Sequence, residues 1–194
     1  MQIAIVKYNA GNVESVKNAL NRLGIEPILT DDAETLQTAD KIIFPGVGEA
    51  SSAMKYLREK KLDAAIKSLT QPVLGICLGM QLLCEFSDEN DTKCLGILPF
   101  RVRRFASENL KVPHIGWNNI FSLQSELFEG VAEKSYVYFV HGYYVESGEN
   151  TIATCDYGIK FSAAVWHKNF YAVQFHTEKS GSIGARILEN FLKI

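Results

Sequence analysis

The stretch that most constrains the fold is Pro72 to Gln81, PVLGICLGMQ, where a short apolar run ends in Gly75, Cys77 and Gly79. The spacing is that of the G-x-nucleophile-x-G elbow, in which a buried strand turns abruptly into a helix and holds its central residue on a strained, exposed corner. The glycines fit because neighbouring side chains would collide at so tight a bend. A helix-like LGMQLLCEF follows. Cys77 is therefore a candidate nucleophile, presented where the next backbone N–H groups and the positive end of a helix favour a thiolate. An unpaired cysteine is more often a small buried hydrophobe. The strand-like run before Cys77, the flanking glycines and the helix after it together favour the nucleophile, and a nucleophile needs a base.

The remaining pattern agrees with an elbow at the edge of a parallel sheet. Ile3 to Val6 reads as a buried strand, and Asn9-Ala10-Gly11-Asn12 as a turn into a helix with Val13, Val16, Leu20 and Leu23 on one face, ended by Gly24. Glu26 to Thr30 is a second strand, Asp31 or Asp32 a helix cap, and Lys41 to Phe44 a third strand. Right-handed crossovers then put helices on both faces and ligands beyond the carboxyl ends of the strands. Pro45-Gly46-Val47-Gly48 leaves the third strand at that end. It lacks the lysine and spacing of a P-loop and the full dinucleotide fingerprint. It reads either as a structural turn or as a mobile loop of backbone donors beside Cys77. Helical patterns cover Ala50 to Leu69, and Ser87 to Lys93 reads as a polar loop. From Leu95 to Phe175 short β-like runs alternate with turns, and a last helix carries Ile183, Ile187, Leu188 and Phe191. The expectation is one α/β domain over residues 1–194. Its central sheet is mostly parallel, with helices on both faces and an antiparallel extension in the C-terminal half.

The chain has 194 residues, 47% of them apolar, enough for one ordinary core. With 20 basic and 22 acidic residues and a formal charge of −2, it offers no electrostatic case for nucleic acid or an anionic membrane as main partner. The opening MQIAIVKYNAGN has no basic leader, and its apolar run is too short for a bilayer. Cys77, Cys84, Cys94 and Cys155 form no C-x-x-C pair or metal spacing, so neither zinc nor a disulfide framework is expected, and a reducing cytosol fits. Cys84 is expected in the helix after the elbow and inert.

Four histidines compete for the role of base. His114, in VPHIGWNN, and His167, beside Lys168-Asn169, read as solvated or structural. His141 and His176 each end a strand-like run. Only His176 has an acid close by, because Glu178 two residues on returns to the same side in extended geometry. A carboxylate there can fix the ring tautomer and stabilise imidazolium. A surface His and Glu in a turn is the competing reading.

Pro45-Gly46-Val47-Gly48, GICLGMQLL and QFHTEKSG in this order resemble the class I, triad-type glutamine amidotransferases. YNAGNVESV, PGVGEA, VPHIGWN and YFVHGY are similar to markers of the glutaminase subunits of imidazole glycerol phosphate synthases, so the resemblance spans nearly the whole chain. It implies that Cys77 attacks the side-chain amide of glutamine, with His176 as base and Glu178 as its orienting acid. It also implies oxyanion donors at Val47 and Leu78, and substrate contacts at Gly48, Gln81, Glu89, His141, Gly142 and Tyr143. Glu89 would bind the α-ammonium and main chain around Gly142 the α-carboxylate. The implied partner is a (βα)₈-barrel synthase (cyclase) subunit, bound as a heterodimer through Asn12, Trp117, Tyr138 and Lys179. No cofactor or metal is implied.

The family usually has proline where this chain has Thr177, and serine or threonine where it has Gly142. Threonine loosens the backbone between base and acid and adds an N–H group, and glycine supplies no hydroxyl. The two glycines of the PGVG loop lead to the expectation that its donor is mobile and glutaminase activity latent without a partner. Two other readings stay open: a glutaminase serving another synthase, and a catalytically silent binding subunit.

Overall fold

Strand and helix alternate through the first half of the chain: β1 (Ile3–Val6), α1 (Val13–Arg22), β2 (Ile28–Thr30), α2 (Ala33–Thr38), β3 (Lys41–Gly46), α3 (Ala50–Glu59), α4 (Leu62–Lys67), β4 (Val73–Cys77) and α5 (Leu78–Leu83). The computed structural model describes residues 1–9, 11–106 and 110–194. Ala10, in the expected first turn, lies outside them. β1 pairs in parallel with β2 and β3, and β3 with β4. These strands read as continuous apolar runs because helices cover both faces. Ile3 and Ile5 of β1 join one core with Val16, Leu20, Ile187 and Phe191, whereas Ala4 and Val6 join another with Leu36, Met54, Leu57 and Ile66.

Local signals place most boundaries. Gly24, at φ +78°, follows the α1 cap. Asp32, not Asp31, caps α2 by accepting from the Thr35 N–H at 2.8 Å. The helical pattern from Ala50 to Leu69 is two helices, interrupted where Lys61 adopts φ +56°.

The second half contains β5 (Phe86–Ser87), β6 (Thr92–Lys93), β7 (Arg101–Arg104), β8 (His114–Asn119), β9 (Tyr136–His141), β10 (Tyr143–Val145), β11 (Thr151–Asp156), β12 (Lys160–His167), β13 (Phe170–Val173) and α6 (Gly181–Lys193). The main sheet runs β2-β1-β3-β4-β13-β12-β10-β7-β5-β6, with β11 on β12, while β8 and β9 form a separate two-stranded ribbon. Residues 87–93, expected as a loop, instead hold a short antiparallel pair, β5 with β6, joined through a 3₁₀ turn at Glu89–Asp91. β12 pairs antiparallel with β10, β11 and β13, as the expected extension requires. The junction of the two halves is a parallel pairing of β13 with β4 that aligns Val173 with Ile76. One residue beyond it are Gln174 and Cys77. Among the described residues no helix is long and apolar enough to cross a membrane.

Candidate active site

Cys77 sits at φ 54°, ψ −110°, a conformation that costs a non-glycine residue about 1–3 kcal/mol. The glycines beside it do more than permit the bend. A Cβ on Gly79 would lie 1.7 Å from the Phe44 carbonyl oxygen of β3, and one on Gly75 would lie 2.8 Å from Leu83 Cδ1. Both allow α5 to pack directly on the strands. Pro45 and Gly46 stay within β3, opposite Ile76 and Cys77, contrary to the expectation that the whole PGVG segment leaves the strand. A Cβ on Gly46 would lie 2.0 Å from the Tyr8 hydroxyl, which donates to the Pro45 carbonyl at 2.8 Å. Only Val47 and Gly48 leave, the latter at φ +113°.

Beyond β13 the chain continues beside Cys77 to His176, whose N–H donates to the Tyr138 carbonyl at 2.9 Å. His176 Nδ1 lies 2.7 Å from Glu178 Oε1, with both side chains buried. The pair forms by a different route from the one expected. Thr177–Lys179 is a 3₁₀ turn, so Glu178 reaches back around a turn instead of along an extended strand. Thr177 in place of proline is accommodated there, buried, without breaking the pair. The Asn12 side-chain amide also donates to Glu178 Oε1. With Nδ1–H given to Glu178, Nε2 is the basic end of the ring. It is buried without a hydrogen-bond partner among the described residues. Burial disfavours imidazolium, but Cys77 and Glu178 outweigh it and push the His176 pKa up to about 10.

His141 has both ring nitrogens committed. Its Nδ1 donates to the Tyr143 carbonyl at 2.7 Å, and its Nε2 accepts from His114 Nδ1 at 3.0 Å. Burial pushes His141 down to about 3 and His114 to about 4, so both stay neutral. His114 is structural and not solvated: its ring stacks on Tyr157 with centroids 3.9 Å apart. His167 is half-buried at the Lys168-Asn169 turn.

A cavity of about 250 Å³ opens over Cys77. Its lining gathers Val47, Gly48, Leu78, Gln81, Glu89, His141, Gly142 and Tyr143, together with Pro113 and Val140, which the sequence did not single out. Glu89 Oε2 accepts from the Ala50 N–H at 2.7 Å, and burial raises its carboxyl pKa. A Cβ on Gly142 would meet nothing closer than 3.9 Å, so the site has room for the hydroxyl residue usual in the family. Gln174, fully buried, donates to Cys77 Sγ at 3.8 Å and was also missed. Cys77 is 5% exposed and so buried, not on an exposed corner, and the other cysteines are buried too: their thiols are pushed well up at Cys84 and to about 12 at Cys94 and Cys155. Cys84 caps α5 in extended conformation and is not within the helix.

The residues expected at a partner surface split. Trp117, 54% exposed, lies edge-on to Tyr138 across the β8–β9 ribbon, and Lys179 is exposed. Asn12 is half-buried and tied to the acid, a link that sequence alone gave no sign of.

A family model, Glutamine amidotransferase class-I, matches residues 4–194. The chain is 56% identical to imidazole glycerol phosphate synthase subunit HisH of Bacteroides fragilis strain YCH46 over 196 residues, covering 100% of both chains. It is 46% identical to the HisH subunit of Pasteurella multocida over 192 residues, covering 98% of this chain and 97% of that one. Among solved structures it resembles a glutamine amidotransferase with a TM-score of 0.78 at 22% identity, covering 100% of this chain and 98% of that chain. It also resembles PurLQS from Thermotoga maritima with a TM-score of 0.74 at 20% identity, covering 99% and 97%. The chain belongs to the class-I glutamine amidotransferase family.

Proposed function

We propose that the chain is the glutaminase subunit of imidazole glycerol phosphate synthase. It hydrolyses glutamine to glutamate and ammonia and passes the ammonia to a (βα)₈-barrel synthase subunit. The observation that carries this reading is the buried His176–Glu178 pair beside Cys77, with Cys77 lining a cavity together with the residues expected to contact substrate. In the reaction the Cys77 sulfur, having given its proton to His176 Nε2, bonds to the side-chain carbonyl carbon of glutamine. The N–H groups of Val47 and Leu78 donate to the resulting oxyanion, each worth about 3 kcal/mol to the transition state. His176 returns the proton to the departing nitrogen, the C–N bond breaks, and ammonia leaves a glutamyl thioester. Water, deprotonated by His176, then attacks; the C–S bond breaks and glutamate is released. Glu178 holds Nδ1–H throughout and Asn12 holds Glu178. Glu89, with Oε2 bound to the Ala50 N–H, has Oε1 for the substrate ammonium. Main chain at Gly142 takes the α-carboxylate, and no cofactor enters any step.

The partner docks on the β8–β9 ribbon, where Ile115, Trp117 and Tyr136 are 58%, 54% and 57% exposed, and reaches Lys179 and the Asn12 corner. Tyr138 supports a coupling between docking and chemistry, because its carbonyl accepts from the His176 N–H and its own N–H donates to Ser180 Oγ. In the cytoplasmic heterodimer the synthase uses the ammonia to make imidazole glycerol phosphate and aminoimidazole-carboxamide ribonucleotide in histidine biosynthesis. Mixing the chain with a histidine-pathway barrel synthase, its nucleotide substrate and glutamine tests this. Glutamine-dependent formation of both products, lost with Cys77→Ala, is expected. Glutamate release with no product would assign the chain to another synthase.

A further inference from the structure

A line of buried amides reaches the nucleophile independently of His176. The Tyr143 carbonyl accepts from Gln81 Nε2 at 3.1 Å and from His141 Nδ1 at 2.7 Å. Gln81 Nε2 also donates to Gln174 Oε1 at 3.0 Å, and Gln174 Nε2 lies 3.8 Å from Cys77 Sγ. Gln81 is 5% exposed and Gln174 wholly buried. The polarity of this line is forced from one end. A backbone carbonyl can only accept, so Gln81 must turn its nitrogen to Tyr143, and the second N–H of that nitrogen goes to Gln174. Reversing Gln81 would set its oxygen against the Tyr143 carbonyl, and reversing Gln174 would set its nitrogen against Gln81 Nε2, leaving buried groups unpaired. The last group in the line is therefore an N–H pointed at sulfur. Gln174 and His176 flank Phe175, which enters the core.

We propose that Gln174 is a positioning residue of the glutaminase site: its N–H orients the Cys77 sulfur and favours its anionic form, and its carbonyl fixes Gln81 with Oε1 towards the cavity. This rests on the reading of Cys77 as nucleophile. As a thiol, Cys77 donates to the Val140 carbonyl at 3.7 Å while receiving the Gln174 N–H. As a thiolate it loses the first bond and keeps the second, which a negative sulfur strengthens. The sulfur is thus released from Val140 and held by Gln174 for attack. The other titratable groups facing it are His176 with Glu178 behind it, the buried Tyr8 hydroxyl following β1, the neutral His141–His114 pair and Glu89 across the cavity. All of them remain in the variants that test the proposal.

Gln174→Met keeps length and removes both polar atoms. The pH midpoint for alkylation of Cys77 by iodoacetamide should rise by about half to one unit, and kcat for glutamine should fall about tenfold, more than KM rises. Gln174→Glu, which offers the sulfur an acceptor, should move the midpoint further. A lowered melting temperature with an unmoved midpoint would mean a packing role and overturn the proposal. A measurement on the unmodified side chain avoids dependence on variant folding. In protein labelled with ¹⁵N at glutamine side chains, one slowly exchanging amide should titrate with the alkylation midpoint and stop titrating in Cys77→Ala. No titrating amide would overturn the proposal. The alkylation readout needs no glutamine turnover. A shifted midpoint in a chain that fails to hydrolyse glutamine even with a barrel synthase and its nucleotide present would sink the function and leave Gln174 in its role, and an unmoved midpoint with hydrolysis intact would sink the inference alone.

Discussion

The two halves of the sheet contribute to the site in opposite ways. The parallel half, β2-β1-β3-β4, delivers Cys77 by local means: an apolar strand, two glycines that let α5 pack directly on β3 and β4, and one strained residue. The antiparallel half delivers His176 and Glu178 through a long-range pairing, β13 against β4, and a 3₁₀ turn. The proposed nucleophile is thus built by its neighbours in sequence, and the proposed base by where a distant strand docks. A change at the elbow should therefore remove chemistry cleanly, whereas changes near the base should separate those that touch the reacting atoms from those that only support them.

The largest effect is expected at the elbow. Cys77→Ala should lower glutamine hydrolysis at least about a thousandfold while circular dichroism and partner docking stay unchanged, since the residue serves chemistry more than packing. Wild-type turnover would overturn the assignment. On the other half, His176→Ala should cost nearly as much, about a thousandfold, and His141→Ala less than about tenfold, because members of a triad act as a unit and His141 has both nitrogens committed. The reverse ranking would transfer the base to His141. The smallest effect concerns stability. His114 and His141 have folded pKa values near 4 and 3, below the unfolded value of about 6.5, so their contribution is present above pH 6.5 and lost as pH falls through those values. His176, raised to about 10, acts oppositely: its contribution is present below pH 6.5 and lost as pH rises through 10. Urea unfolding from pH 4 to 10 should show both slopes. His114→Phe should flatten the acid one by on the order of 1 kcal/mol, and an unchanged acid slope would contradict the neutral pair.

The same contrast explains what the sequence disclosed. Period-one apolar runs, the Asp32 cap and Gly24 mark the parallel half because each acts through adjacent residues. Strand spacing pairs Glu178 with His176, yet the chain turns there, and the pair survives because the turn brings the Glu178 carboxylate back to the His176 ring. Gln174, two residues before His176, lies at a bend just beyond β13, so strand spacing does not mark it either. The place of Asn12 beside the acid, instead of only at the partner surface, is hidden for a different reason. Its tie to Glu178 spans 166 residues and depends on α1 packing near α6, which no local pattern encodes. The short β5–β6 pair was hidden in polar residues because an edge strand of two residues has no periodicity to read.

The central claim is that Cys77, at the junction of the two halves, is the residue that bonds to glutamine. Incubating the chain with a glutamine-derived chloroketone and mapping the adduct by mass spectrometry tests it directly. One adduct per chain is expected, on Cys77, prevented by excess glutamine and slowed severely in His176→Ala, with Cys84, Cys94 and Cys155 unmodified. Labelling of Cys84, Cys94 or Cys155 in preference to Cys77, or no adduct under conditions where glutamate is released, would contradict the account.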